Sequence, residues 1–252
     1  MCGTRADAPP SGIAGVPELP PFPGAIGVSH LRVYDTEAPD GLAGGTPHLH
    51  TLCTEAYAVV GGRGHVQTLT AAGYAEVPLE PGAFVWFTPG TIHRLVNDGG
   101  LEIYVLMQNA GLPEAGDMVI TLPPEVLADP ARYAEAATLP AGEQTTNGSD
   151  TAARARRDAA VTAFLDLRNG GPAALTQFHH AAARIVRPHL DRFGSVWADG
   201  PARASAATGE QLAALGSGDP THLAAASIHR LAPPGDERRM GCCGTLGTYV
   251  PR

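Results

Sequence analysis

Through the first 110 residues, apolar and polar positions alternate with a period of two. A strand places alternate residues on opposite faces, so this pattern predicts half-buried β-strands. Residues 26–34 (IGVSHLRVY) read as one strand. Residues 55–69 (EAYAVVGGRGHVQTL) read as a strand, a glycine-rich hairpin and a return strand, and residues 73–90 as a second hairpin region. Residues 101–108 (LEIYVLMQ) make a further, largely apolar strand. Short strands with no helices between them predict an antiparallel sheet folded into a double-layered barrel.

The period then changes. Residues 122–140 open with prolines and an acidic residue, as helix starts do. Residues 141–151 (AGEQTTNGSDT) form a polar linker. Residues 152–170 and 172–193 are Ala-rich, with Val161, Phe164 and Leu165 in the first stretch and Ile185, Leu190 and Phe193 in the second at helical spacing. Asn169-Gly170-Gly171-Pro172 breaks the two apart, and residues 211–234 add weaker helices. The chain thus divides into a Pro-rich arm (1–22), a barrel (23–121), and a helical extension with a cysteine-containing tail (122–252). The helical half is expected to cap the barrel mouth or to build an oligomer interface, with a homodimer as the candidate assembly.

Composition narrows the function. The net charge of −8 argues against nucleic acid or an anionic membrane as partner. No apolar run reaches transmembrane length, and the first residues lack a signal core, so a cytoplasmic location is expected. All 17 basic residues are arginine, which excludes a Schiff-base lysine, a pyridoxal phosphate anchor and the P-loop lysine. Cys2, Cys53, Cys242 and Cys243 form no zinc-type spacing, and the last two read as reduced thiols in a tail.

The candidate chemistry lies within the strand region. His48-Leu49-His50 on a strand would aim both imidazoles to one face, Glu55 can return on the next strand, and His93 on a later one. Glu55 opens the apolar run AYAVV, where an unpaired buried carboxylate would be costly and a bound cation would remove the cost. His179, His180, His189, His222 and His229 lack i, i+4 spacing and a carboxylate in register, so they read as helix-surface residues.

The order and spacing of His48, His50, Glu55 and Gly62, then Gly82, Gly90, His93 and Asn97, resemble the two sequence motifs of the cupin superfamily. Leu42 stands where the first motif opens with glycine, and Thr88 stands at its second-motif proline, with Pro89 following. The resemblance implies an antiparallel double-stranded β-helix, or jelly roll: a mainly β cupin barrel with the helical extension attached. It implies a divalent transition metal (Fe, Mn, Ni, Co or Zn) held by His48, His50, Glu55 and His93. Tyr57 shares the parity of Glu55 and should face inward beside it, and the pair are the candidate catalytic residues. Arg63 and Arg94 are expected to face solvent, leaving the cavity wall mostly apolar. A small, largely uncharged organic substrate fits such a wall. The leading expectation is a metal-dependent enzyme of the oxygenase type; the alternatives are an isomerase or lyase of a hydroxy-carbonyl or sugar compound, and a non-catalytic small-molecule-binding protein.

Overall fold

The structure is a computed structural model, which describes residues 19–249. The arm expected over 1–22 lies outside the described residues as far as residue 18. Among the described residues, nine strands form one antiparallel sheet: β1 (Gly27–Val33), β2 (His48–His50), β3 (Glu55–Thr70), β4 (Gly73–Leu79), β5 (Phe84–Phe87), β6 (Ile92–Met107), β7 (Met118–Ile120), β8 (Arg239–Met240) and β9 (Gly244–Tyr249). Its main path runs β4-β3-β6-β1-β9-β8, while β2 pairs with β6 and β7, and β5 pairs with β3. The sheet folds over on itself in the cupin manner but does not close. Six α-helices follow the first seven strands: α1 (Pro124–Leu127), α2 (Pro130–Ala137), α3 (Thr151–Asn169), α4 (Gly171–Val186), α5 (Leu190–Trp197) and α6 (Arg203–Gly216). With 41% of residues helical and 29% in strands, the molecule is mixed rather than mainly β, and the barrel is the smaller part by count.

Residues 55–69 differ from the expected hairpin. They lie in one continuous strand, the 16-residue β3, and its partner β6 is equally long, so residues 92–107 run unbroken through Gly99-Gly100. The glycines serve close approach rather than reversal. Gly62 has φ +66°, and a Cβ there would lie 2.1 Å from the carbonyl of Gly100. A Cβ on Gly64 would lie 2.1 Å from the Val96 oxygen. The register shifts between Val59 and Gly64 bend the pair at this point, as bulges do, and carry both strands from one layer of the barrel to the other.

Two apolar clusters hold the layers. The barrel interior contains Leu31, Tyr57, Val59, Val66, Leu95, Ile103 and Val105. The second cluster lies between the outer side of the β2-β7-β6 layer and the helices, where Leu49, Ile92 and Ile120 meet Phe164, Leu175, Phe178 and Ile185. The helical stripes thus pack on one outer face of the sheet. Directed bonds fix the seam. Thr121 donates its hydroxyl to the Ala160 carbonyl (3.0 Å), and the Arg157 guanidinium donates to the carbonyls of Thr36 and Glu37 (2.7 Å each).

Two further expectations are overturned here. Arg94 is fully buried rather than facing solvent. The 35–45 loop folds over it and supplies the Asp40 carboxylate and the Gly45 carbonyl as acceptors, so the outward side of β6 is covered at that residue. The cysteine-containing tail is not an appendage of the helices. β9 pairs with β1 over six residues, from Val28 opposite Tyr249 to Val33 opposite Gly244. Arg63 is exposed, as expected.

Candidate metal centre

His48 and His50 alternate with Leu49 on β2, so both imidazoles enter the barrel while Leu49 meets the helices. His93 stands directly opposite His48 in the β2–β6 pairing, and Glu55 opens β3 after a short turn. All four side chains are buried, and one ligand atom from each lies within 4.8 Å of the other three. His93 Nε2 is 3.1 Å from His48 Nε2 and 3.1 Å from Glu55 Oε2; His50 Nε2 is 3.4 Å from the same oxygen.

The outer edges of the rings decide what this cluster is built for. His48 Nδ1 meets the Thr46 carbonyl at 2.8 Å, His93 Nδ1 the Thr91 carbonyl at 3.1 Å, and His50 Nδ1 the Asp117 carboxylate at 3.1 Å. Each of those oxygens can only accept, so each Nδ1 carries the proton in the neutral ring. All three Nε2 atoms then present lone pairs to one point, and His48 and His93 cannot hydrogen-bond to each other there. Glu55 Oε2 is buried at the same point and has no hydrogen-bond partner. Three lone pairs and an unpartnered carboxylate oxygen converging in a buried space repel one another unless a cation sits among them. The donor set therefore fits a divalent transition ion, with imidazole and carboxylate suiting Fe, Mn, Ni, Co or Zn.

The electrostatics agree. Burial, with His93 and His50 alongside, holds His48 well below the ordinary imidazole range, which keeps it neutral and ligating. Burial opposes ionisation of Glu55, but attraction to positive charge at the imidazole cluster, His93 first, outweighs it and lowers its pKa to about 2, so this point of the barrel favours a cation. His50 is the exception: burial disfavours its charge, yet the Asp117 hydrogen bond and the nearby carboxylates raise its pKa.

Asp117 has no counterpart in the sequence reading. It sits just before β7, wholly buried, and accepts from His50 Nδ1, the Thr51 and Leu52 amides and the Thr51 hydroxyl. Burial opposes its charge, and these donors lower its pKa to about 2. It fixes both the ring orientation of His50 and the turn that leads to Glu55. Its only signal in sequence would have been an acid opening a short apolar run (DMVIT), which is too common to single out. Cys53, in that turn, is buried beside Asp117, and burial and that carboxylate push its thiol pKa up.

Tyr57 faces inward two residues from Glu55 and is fully buried. Burial and the carboxylate hold the phenol well above its ordinary pKa, so it stays protonated. Phe87 packs 4.1 Å from the His93 ring and 5.3 Å from Tyr57, centroid to centroid, and fixes both rings. A cavity of about 440 Å³ opens over His48, His50, Glu55 and Tyr57. Its walls are largely apolar: Leu31, Val105, Met107, Met118 and Leu246, with Ser29 and Thr248 as hydroxyls. Besides Glu55, its charged members are Glu114 and Arg239, both on the solvent side. Cys242 and Cys243, expected in a free tail, form the tip of the β8–β9 hairpin and line this cavity.

The histidines of the helical half build no second centre. Among the described residues, the four barrel side chains are the one His/Cys/Asp/Glu group with metal-binding geometry. His179 instead bonds through Nε2 to the Gly90 carbonyl (3.0 Å), tying α4 to the turn before His93. Also among the described residues, no helix is long and apolar enough to cross a membrane.

Residues 36–107 match the family model described as the cupin domain. Solved structures similar to the chain include a cupin protein from Bacteroides fragilis, at 17% identity, covering 34% of this chain and 65% of that one with a TM-score of 0.26. A double-stranded β-helix protein from Klebsiella pneumoniae is similar at 18% identity, over 38% and 71% of the two chains, with a TM-score of 0.26. A putative sugar phosphate isomerase from Acidithiobacillus ferrooxidans reaches 26% identity over 32% and 47%, with a TM-score of 0.24. The chain spans about two thirds of the first of these and about half of the last. No curated protein matches it. Two motifs, the folded sheet and the matched segment agree that residues 36–107 form a cupin domain.

Proposed function

We propose that this protein is a metal-dependent enzyme of the oxygenase type, acting on a small, largely uncharged organic molecule. One observation carries the reading: three imidazole nitrogens and a carboxylate converge on one point at the base of an apolar cavity of about 440 Å³. That volume suits a small organic ligand, and the few polar groups suit orientation rather than charge recognition. Among the described residues the wall carries no cluster of arginines, so it offers no convergent donor set for a phosphorylated substrate.

Each residue has a task. His48, His50 and His93 hold the ion, and Glu55 supplies the single negative charge among the ligands. An iron(II) ion bound there would supply oxygen activation, which none of the side chains can perform. Tyr57 lines the cavity beside Glu55 and is placed to exchange a proton with a bound molecule. Leu31, Val105 and Met107 exclude water from the substrate face of the site. A second reading rests on Tyr57 itself. A phenol kept protonated beside a buried carboxylate is a proton donor and acceptor pair, which Lewis-acid isomerase or lyase chemistry would use.

The two readings separate in one experiment. Protein loaded with Fe(II), and separately with Zn(II), Mn(II) and Ni(II), is screened against small neutral substrates with and without O₂. Oxygen uptake that requires both iron and substrate is the expected result. Turnover in the absence of O₂ with Zn(II) would replace the oxygenase by the isomerase or lyase. Unchanged metal content in both His50→Ala and His93→Ala would remove either reading, since the ions would then sit elsewhere.

A further inference from the structure

We propose that Ser29 and Thr248 form a second polar subsite in the cavity, which holds a neutral hydrogen-bonding group at the end of the substrate remote from the metal centre; this rests on the metal-dependent reading above. The registers map the inner wall row by row, because residues opposite one another in neighbouring strands share a face. One row crosses the sheet as Glu55 on β3, Met107 on β6 and Gly27 on β1. The next runs Tyr57, Val105, Ser29 and Thr248, from β3 through β6 and β1 to β9. Every member of both rows lines the cavity. The wall therefore has two polar ends. Glu55 and Tyr57 stand at the metal centre, and the two hydroxyls stand beyond the apolar step of Met107 and Val105.

Inward positions of these strands are expected to be apolar, as Leu31 and Leu246 are in the following row. Ser29 and Thr248 break that pattern side by side. They are direct cross-strand partners, with Cβ atoms about 5 Å apart, close enough for both hydroxyls to meet one ligand atom. A hydroxyl both donates and accepts, so the pair suits an alcohol, a carbonyl or an amide. It carries no charge, and the one arginine on the wall among the described residues, Arg239, is exposed. The fold also sets the length of the ligand. Tyr57 and Ser29 are two strand spacings apart, about 10 Å. Gly27 keeps the lane between them open. Its backbone does not demand glycine, since a Cβ there would meet Met107 Cβ at 3.7 Å, an ordinary contact. The missing side chain is thus explained by the space it leaves to a ligand rather than by the fold. The substrate class that fits is an elongated neutral molecule, with oxygen donors for the metal at one end, an apolar middle, and a hydroxyl, carbonyl or amide at the other.

The test is ligand binding to the full chain loaded with Co(II), whose visible spectrum responds when a donor reaches the metal. Four hydroxamic acids serve as probes. Acetohydroxamic acid binds the metal and ends there. Hexanohydroxamic acid adds the apolar tail, ω-hydroxyhexanohydroxamic acid adds a terminal hydroxyl to that tail, and adipic monohydroxamic acid a terminal carboxylate. The ω-hydroxy probe is expected to bind about tenfold more tightly than the plain hexano probe. Ser29→Ala and Thr248→Val should each remove part of that difference, and the double variant all of it. Gly27→Val should weaken both long probes about tenfold or more by filling the lane. Unchanged affinity for acetohydroxamic acid shows that the metal centre is intact in each variant. Equal affinities of the hexano and ω-hydroxy probes in the wild type, or a difference that survives in the double variant, would overturn the subsite and leave the metal centre standing. Tightest binding of the carboxylate probe would overturn it too, assigning the far end to an anion held by Arg239. A spectrum that responds to none of the probes would remove the metal-dependent reading, and the subsite with it.

Discussion

At the scale of single residues, the site depends on the atoms behind the ligands as much as on the ligands. Asp117 orients His50 and keeps its Nδ1 protonated, so that Nε2 is free to bind an ion. Carboxylates behind metal-binding imidazoles typically carry a 10–100-fold effect on affinity. Asp117→Asn keeps the size but loses the charge, and its amide would face the Thr51 and Leu52 amides, donor against donor. Metal affinity measured by chelator competition is expected to fall about 10-fold or more. An unchanged affinity would show that His50 is positioned by the strand alone. The same carboxylate sets an acid limit. Its folded pKa is lowered, so the stability it contributes is present above its ordinary value, about 3.9, and is lost as pH falls towards 2. The acid limb of a denaturation profile should therefore be shallower in Asp117→Asn.

At the scale of elements, the two 16-residue strands β3 and β6 carry three tasks along one length. Their outer ends hold Glu55 and His93, their middles cross between layers, and each contributes to both apolar clusters. The crossing depends on Gly62, whose φ is +66° and whose missing side chain leaves room for the Gly100 carbonyl. Gly62→Ala would place a methyl group 2.1 Å from that carbon and impose a disfavoured backbone conformation. The expected cost is about 2 kcal/mol or more by urea denaturation. If the cost were nearly zero, the bend would have to be held by the turns on either side. Alternation along 55–69 and 101–108 made the strands legible in sequence. Their continuity was not legible, because Gly61-Gly62-Arg63-Gly64 spells a turn and a bulge with the same letters. The resolution lies 38 residues beyond Gly62, at Gly100, where the neighbouring strand must bend at the same place.

At the scale of the whole molecule, the chain's two ends close one cavity. β9 returns from beyond the helices to pair with β1, and the hairpin tip Cys242-Cys243 becomes part of the wall facing Glu55 and Tyr57. Removing residues 239–252 would expose the β1 edge and open the cavity to water. Such a protein is expected to lose thermal stability and to aggregate, as followed by light scattering on heating. A truncated chain that stayed as soluble and as stable as the parent would show the hairpin to be dispensable. The helices act on the opposite side. They cover the layer bearing His48 and His50, and α4 grips the turn before His93 through His179, so the barrel and its extension form one packed unit rather than a domain and a tail.

What the sequence determined by itself was local or carried by spacing. The period of two marked the strands, the period of 3.6 marked α3 and α4, and parity on β2 put His48 and His50 on one face. Three imidazoles and a carboxylate at those intervals picked out the four side chains that the fold brings together, a group that could hold a metal ion. Tertiary structure alone decided the rest. It brought Asp117 behind His50 across 67 residues of chain, buried Arg94 under a loop whose only sequence mark is Asp40 among turn formers, and turned an apparent tail into a wall. It also left Trp86 and Phe84 in the open while burying their neighbours Val85 and Phe87 in part, a choice between two faces that alternation cannot make. Periodicity reports that one face of a strand differs from the other; which face meets the core depends on what lies across from it, and that is set by contacts far apart in sequence.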